Sequence, residues 1–327
     1  MSVTPLNAHA WAIVLAAGDG SRLRKLTTTP AGIAIPKQFC SLTGDRTLLE
    51  NTLHRAGSIA PRQRVCAVVA AHHRQWWQKP LWSAPEANVI IQPSNLGTAN
   101  GILLPLCYVL ERDPGARVVI LPSDHFVRDE DVLARSLRST TAQLAFRRDE
   151  VLLLGIEPEA VDPDLGYIVP GASDRRGAFE VAQFVEKPTP TLARALLERG
   201  AVWNSFILAA RAEALMRLYE RRYPEIVLEM RTAVQRELRT SSNGCAIGEL
   251  YQRLPEIDFS RHVLEGQEAV LRVVPVPQCG WSDLGTLQRV ASCLARMQLP
   301  VDRATSDAGR DACLNLAAQH ERLQVAC

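Results

Sequence analysis

Gly18-Asp19-Gly20-Ser21-Arg22 breaks an apolar run that begins at Trp11, and no strand could continue through it. Glycines at 18 and 20 remove Cβ atoms where the backbone must turn sharply, so successive amide N–H groups can face an anion. Arg22, and Lys37 following Pro36, supply cations for it. Any strand-to-helix turn favours glycine, but the spacing to Pro36-Lys37-Gln38-Phe39 points further, to a nucleoside triphosphate cradle. Two carboxylates are placed to assist. Asp124 follows an apolar stretch in Pro122-Ser123-Asp124-His125, and Asp283 sits in Gly280-Trp281-Ser282-Asp283-Leu284-Gly285. Mg²⁺ asks for one or two carboxylates plus substrate phosphates, so two distant aspartates suffice; each could equally cap a helix. Glu186-Lys187-Pro188 closes an alternating segment, where an acid and an ammonium are either a ligand site or a solvated pair worth under about 1 kcal/mol. In Gln92-Pro93-Ser94-Asn95-Leu96-Gly97-Thr98-Ala99, the Gln92 amide suits a nucleobase edge and Gly97 permits close backbone approach to a flat ring. The same string also reads as a turn capping a helix over 98–110.

These residues need strands and helices to hold them. The spacing predicts buried strands from Trp11 and over 64–71 and 117–121, and further strands over 88–91, 151–156, 202–208 and 270–276. A half-buried strand is expected over 179–185, another starts at Gly166, and helices are expected over 47–59, 129–147 and 211–253. The pair His72 and His73 ends the second strand; neighbours on a strand point to opposite faces, which argues against a shared metal. Asn204, in a buried-looking strand, needs a hydrogen-bond partner. The expected order is an extension over 1–10, a catalytic domain over 11–296 and a tail or short helix over 297–327.

Composition excludes several classes. The 327 residues carry a net charge of +2, which gives no whole-molecule field for nucleic acid. No apolar run approaches the roughly 20 residues needed to span a bilayer. A basic secretory leader is absent, so a cytoplasmic protein is expected. Arginine supplies 33 of the 37 cations, leaving Lys25, Lys37, Lys79 and Lys187 as the lysines. The eight cysteines form no CxxC pair and read as reduced thiols.

With LAAGDGSRL, PKQF, QPSNLGTA, PSDH, GYI, FVEKP, WNSF and GWSDLG in that order, residues 10–296 resemble the sugar-1-phosphate nucleotidyltransferases, nearest to their guanylyltransferase branch. The resemblance implies an α/β, Rossmann-like fold with a mixed, mainly parallel sheet flanked by helices on both faces. It implies that Ala17, Gly18, Gly20, Ser21 and Arg22 meet the triphosphate with Lys37 assisting, and that Gln92, Gly97 and Thr98 read the base. Asp124 and Asp283 match Mg²⁺ ligands. Gly166, Glu186, Lys187 and Asn204 match sugar-phosphate contacts, and Arg22, Lys37, Asp124, Lys187 and Asp283 are the residues expected to carry catalysis. A homodimer is one assembly open to such a chain. Two departures stand out: the segment between Leu26 and Pro36 is longer than the family's, and Phe206 stands where the family commonly has glycine.

The implied reaction joins a nucleoside triphosphate, GTP, to a sugar 1-phosphate, mannose 1-phosphate, with loss of pyrophosphate. A sugar 1-phosphate is already an anionic nucleophile, so positioning and charge neutralisation are what the chain must supply. Alternatives are a thymidylyl- or uridylyl-transferring relative, an isoprenoid-type cytidylyltransferase, against which FVEKP and GWSD speak, and a non-catalytic nucleotide-sugar sensor.

Overall fold

A computed structural model of the chain describes residues 8–240 and 245–297. Most of the expected extension and tail lies outside the described residues. Nine strands form one sheet: β1 (Ala10–Ala16), β2 (Val65–Ala70), β3 (Val89–Gln92), β4 (Arg117–Pro122), β5 (Val151–Ile156), β6 (Gly166–Ser173), β7 (Phe179–Glu186), β8 (Val202–Arg211) and β9 (Leu271–Val276). Their order is β3-β2-β1-β4-β8-β5-β9-β7-β6, with β6 also pairing β8.

The strands fall where the apolar runs place them, and their pairing shows the mixed sheet, in which β7 and β8 run against their neighbours. β1–β2, β1–β4, β2–β3 and β5–β9 are parallel. β4–β8, β5–β8, β6–β7, β6–β8 and β7–β9 are antiparallel. The sheet is mixed, with its parallel part concentrated at the amino-terminal side. Apolar runs report that a strand is buried and not which way its neighbour runs.

Helices cover both faces, as expected. The strand β1 shows why: Trp11 and Ile13 enter one apolar cluster while Ala12, Val14 and Ala16 enter the other, so the strand is buried on both sides. The second cluster is completed by helices α1 (Leu48–Gly57), α2 (Arg74–Trp77), α4 (Glu130–Gln143) and α5 (Pro190–Glu198). The first is completed by α3 (Gly97–Arg112), α6 (Ala212–Arg222), α7 (Pro224–Thr240) and α8 (Cys245–Tyr251). Local signals set the helix starts. Thr47 and Glu50 form a reciprocal capping box at α1, and Thr189 caps α5 ahead of Pro190. None of the described helices is long and apolar enough to cross a membrane.

A third cluster, Leu23, Leu26, Leu48, Phe126, Leu284 and Val290, ties the glycine loop to the segment after β9 and to α9 (Leu287–Arg296). The long segment after Leu26 folds back on itself. Thr28 bridges Ala34, Ile35 donates its N–H to the Thr27 carbonyl at 2.9 Å, and Gly32 turns the tip at φ 81°. The extra residues therefore project outward, and Pro36 re-enters beside the loop.

Gly97 opens α3 at φ 81°, and a Cβ there would overlap the Ile257 carbonyl, which accepts the Ala99 N–H at 2.9 Å. Gly97→Ala therefore combines left-handed strain with a backbone collision and should cost about 2 kcal/mol or more. Urea unfolding of the variant measures it, and an unchanged midpoint would mean that this chain crossing does not hold the helix start.

Candidate active site

All the candidate site residues named from the sequence line one cavity of about 480 Å³ at the strand ends. The glycine loop leaves β1 through Ala17. Gly20 adopts φ 61°, and a Cβ on it would lie 2.8 Å from the Lys37 main-chain nitrogen, so this glycine lets the Lys37 segment in. Gly18 faces open space, where a Cβ would meet nothing within 4 Å. Its small size is not required by packing within the described chain and leaves room for a ligand. Gln38, buried, donates its side-chain N–H groups to the carbonyls of Ala16 at 3.0 Å and Gly18 at 2.7 Å, which holds the loop in its turn. The sequence quoted Gln38 inside PKQF without assigning this clamp.

The two aspartates converge because Phe126 and Ser282 exchange backbone hydrogen bonds at 2.8 and 2.9 Å, pinning the loop after β4 to the loop after β9. Lys37 lies between them. Its Nζ meets Asp124 Oδ2 at 2.8 Å and donates to the Asp283 main-chain oxygen at 2.6 Å. Burial alone would raise the Asp124 carboxyl, but Lys37 and His125 outweigh it and hold it down to about 2. The neighbouring His125 is lowered because burial disfavours its cation, and its ring stands edge-on to Trp281 at 5.2 Å. Asp283 Oδ1 accepts the Gly285 N–H at 3.1 Å and pairs with Arg289 of α9, which also pairs with Asp162. The helix-cap alternative for Asp283 is thereby removed: α9 starts later than expected, and its cap is Thr286, which accepts from the Arg289 N–H. Asp124 caps no helix either; that task falls to Asp129 at α4.

On another wall, Gln92 is buried at the end of β3, its amide beside the Tyr251 hydroxyl, and lines the cavity. The space that a Cβ on Gly97 would need is taken up by the Ile257 backbone, while Gly97 itself lines the cavity. Thr98 accepts the Phe259 N–H at 2.8 Å, and Glu256 and Asp258, which the sequence left unassigned, also face the cavity.

The antiparallel part supplies the remaining wall. Gly166 of β6 stands opposite Glu186 of β7, and a Cβ at 166 would lie 2.5 Å from Glu186 Oε2. Asn204 finds its partners inside the chain, accepting the Phe206 N–H at 3.1 Å and donating to Ser260 Oγ at 3.4 Å. Lys187 Nζ is 3.6 Å from Glu186 Oε1. Among the described residues, three that are not glycine have left-handed backbones: Lys187 at φ 49°, Phe206 at φ 60° and Leu284 at φ 49°. All three line this cavity, where such strain concentrates. The value at Phe206 explains why glycine suits that position.

His72 and His73 lie on a 3-10 turn, Ala71–His73, and not on β2. Strand alternation therefore does not apply, and both rings approach Asp19.

A glycine loop, two aspartates and clustered cations lining one cavity at the strand ends of an α/β sheet form a site whose chemistry suits a phosphorylated ligand. The chain belongs to the nucleotidyl transferase family, whose profile matches residues 11–297. It is 29% identical over 284 residues to the mannose-1-phosphate guanylyltransferase of Escherichia coli K12, covering 84% of this chain and 57% of that one. It is 27% identical over 278 residues to the alginate biosynthesis protein AlgA of Pseudomonas syringae pv. tomato, covering 84% and 56%. The chain thus spans little more than half the length of these curated relatives. Among solved structures, a Thermus thermophilus protein described as a mannose-1-phosphate geranyltransferase superposes with a TM-score of 0.72 at 23% identity, covering 97% of this chain and 99% of that one. The shared feature in that case is the fold.

Burial raises the Glu186 carboxyl from its ordinary value of 4.5 to about 7, only partly opposed by Lys187. The folded state then binds its proton more tightly than the unfolded chain. The associated stability is complete below about pH 4.5 and is lost as pH rises through 7. Glu186→Gln, neutral throughout, should therefore gain about 3 kcal/mol relative to wild type between pH 4.5 and pH 8. Parallel urea titrations at the two pH values check this; equal pH dependence of the two proteins would mean that Glu186 titrates alike in the folded and unfolded chains and would overturn the raised value.

Proposed function

We propose that the chain transfers a nucleotidyl group from a nucleoside triphosphate to a sugar 1-phosphate, releasing pyrophosphate, with GTP and mannose 1-phosphate as the substrates. The observation that carries the reading is the single cavity in which the glycine loop, Lys37, the two aspartates and the Gly166–Glu186–Asn204 wall face one another. The name of the Escherichia coli relative supports the choice of substrates. A cytoplasmic enzyme is the setting this reading assigns.

The acceptor's phosphate oxygen attacks the α-phosphorus, a new P–O bond forms, and the bond to the β-phosphate oxygen breaks, its electrons leaving with pyrophosphate. No side chain has to remove a proton from an acceptor that is already anionic. The chain contributes loop N–H groups and Arg22 for the triphosphate, Lys37 for charge between the phosphates, and Lys187 for the acceptor phosphate. Glu186 and Asn204 orient the sugar, while Gln92 and the backbone near Gly97 meet the base. Guanine offers N1–H and N2 donors beside the O6 acceptor, so a site that pairs all three leaves buried groups unsatisfied with another base.

Asp124 and Asp283 line the same cavity, joined through Lys37 by the Asp124 carboxylate and the Asp283 main-chain oxygen; their carboxylates are hard oxygen donors of the kind a divalent cation takes, and we assign Mg²⁺ to them. When bound, it supplies positive charge to the phosphates. Lys37 and Arg289, which contact these aspartates, must yield or share their positions with it.

Pyrophosphate release, measured across a matrix of nucleoside triphosphates and sugar 1-phosphates, should be highest for GTP with mannose 1-phosphate and should stop in excess chelator. Asp124→Asn or Asp283→Asn should lower turnover by about two orders of magnitude or more with the fold intact. A kcat/KM about tenfold or more in favour of dTTP or UTP would displace the guanylyl assignment and leave the transfer chemistry in place.

Lys187→Ala should raise KM for the sugar 1-phosphate more than KM for the nucleotide. Steady-state kinetics with each substrate varied in turn decide this, and the opposite pattern would assign Lys187 to the triphosphate.

A further inference from the structure

Asp19 is an anomaly in the glycine loop. Its neighbours Gly18 and Gly20 shape an anion cradle, yet Asp19 adds a negative charge to it. The side chain does not line the cavity. It turns the other way, toward the turn that follows β2. There Asp19 Oδ1 is 3.0 Å from His72 Nε2 and 3.4 Å from His73 Nε2. Its other oxygen accepts from Asn95 Nδ2 at 3.3 Å, so neither of its hydrogen-bond partners, His72 and Asn95, is a permanent cation.

We propose that Asp19, His72 and His73 form a binding site for a transition-metal cation of the Zn²⁺ class, separate from the Asp124–Asp283 pair. The three ligand atoms lie within 4.8 Å of one another, and this is the one such His/Cys/Asp/Glu grouping found among the described residues. Zinc bonds imidazole nitrogen at about 2.0–2.1 Å, so the edges of its coordination tetrahedron are about 3.3 Å long. The two Asp19–histidine distances bracket that length, so a cation could be accommodated with little movement of the ligands. Two imidazoles and one carboxylate favour Zn²⁺ over Mg²⁺, which prefers oxygen alone.

The supporting geometry is built in. His73 is buried, its ring set edge-on to Phe39 at 5.9 Å and packed against the His72 ring at 4.0 Å. The Asn95 amide holds the second Asp19 oxygen, the kind of outer contact that orients a carboxylate ligand. His72 and Asp19 keep 56% and 49% of their side-chain surface exposed, which leaves a path for the ion and a fourth position for water. A cation here would convert the loop's negative charge into a net positive one and would tie the loop to the end of β2. Ion binding itself does not depend on the nucleotidyl-transfer reading.

The test is Zn²⁺ binding to the full chain by isothermal titration calorimetry in excess Mg²⁺, which occupies the oxygen-only pair. Wild type should take up one Zn²⁺ per chain, and the Asp124→Asn/Asp283→Asn double variant should do the same. His72→Ala, an exposed substitution, should weaken binding about tenfold or more, as should Asp19→Asn. Circular dichroism of each variant without metal verifies folding. Absence of stoichiometric binding to wild type, or loss of less than about tenfold in His72→Ala, overturns the proposal. The latter result would leave the histidines as ion-pair partners of Asp19. Co²⁺ gives a second readout: visible absorption of a nitrogen-ligated tetrahedral ion should appear with wild type and be missing with His72→Ala.

Discussion

The Lys37 ammonium is the junction on which the cavity depends. It is held in a largely buried position between the Asp124 carboxylate and the Asp283 carbonyl, each of which ends a different strand connection. A buried cation is costly unless its partners are close and well aimed, so it penalises any arrangement in which the two loops separate. Its own placement has a precondition in Gly20, whose missing Cβ admits the Lys37 backbone. Loop, lysine and both aspartates thus form one mechanical unit, closed from outside by the Leu23–Phe126–Leu284 cluster.

Around that unit, the two kinds of strand pairing divide the work. Parallel strands β1, β3 and β4 deliver the glycine loop, Gln92 and Asp124 from consecutive crossovers. The antiparallel ladders deliver the opposite wall, because they set residues face to face in register: Gly166 lies across from Glu186, and Gly155 from Asn204. Left-handed backbone at Lys187, Phe206 and Leu284 then redirects the chain where the wall meets the cavity. Lys187 carries a double burden, since a residue before proline is already restricted in its backbone choices. Strain of about 1–3 kcal/mol per residue persists only where surrounding contacts over-determine it. Here Phe206 packs near Phe259, and Leu284 is buried in the cluster that closes the loop.

Much of this was legible in the chain alone, for local reasons. The strands were written in apolar runs, α1 in the apolar spacing over 47–59, and the phosphate-type turn in two glycines before an arginine. Each signal acts within a few residues, where spacing and side-chain type are sufficient. The membership of the cavity was legible too, because its residues sit at strand ends, and strand ends are where an α/β sheet opens to ligands.

Tertiary structure decided everything that rests on a distant partner. The sequence could not show that β8 and β7 run against their neighbours, since burial patterns are indifferent to direction. Nor could it tell that the space beside Gly97 belongs to Ile257, that Thr286 takes the helix cap from Asp283, or that Arg289 grips Asp283 and Asp162 together. His72 and His73 looked divergent while they were taken as strand residues, and they converge on Asp19 because β2 ends at Ala70 and a turn follows. Local propensity is decided by neighbours along the chain, whereas the contacts of Gly97 with Ile257, Arg289 with Asp162 and His72 with Asp19 join residues tens to more than a hundred positions apart and exist only after the sheet has set its strand order.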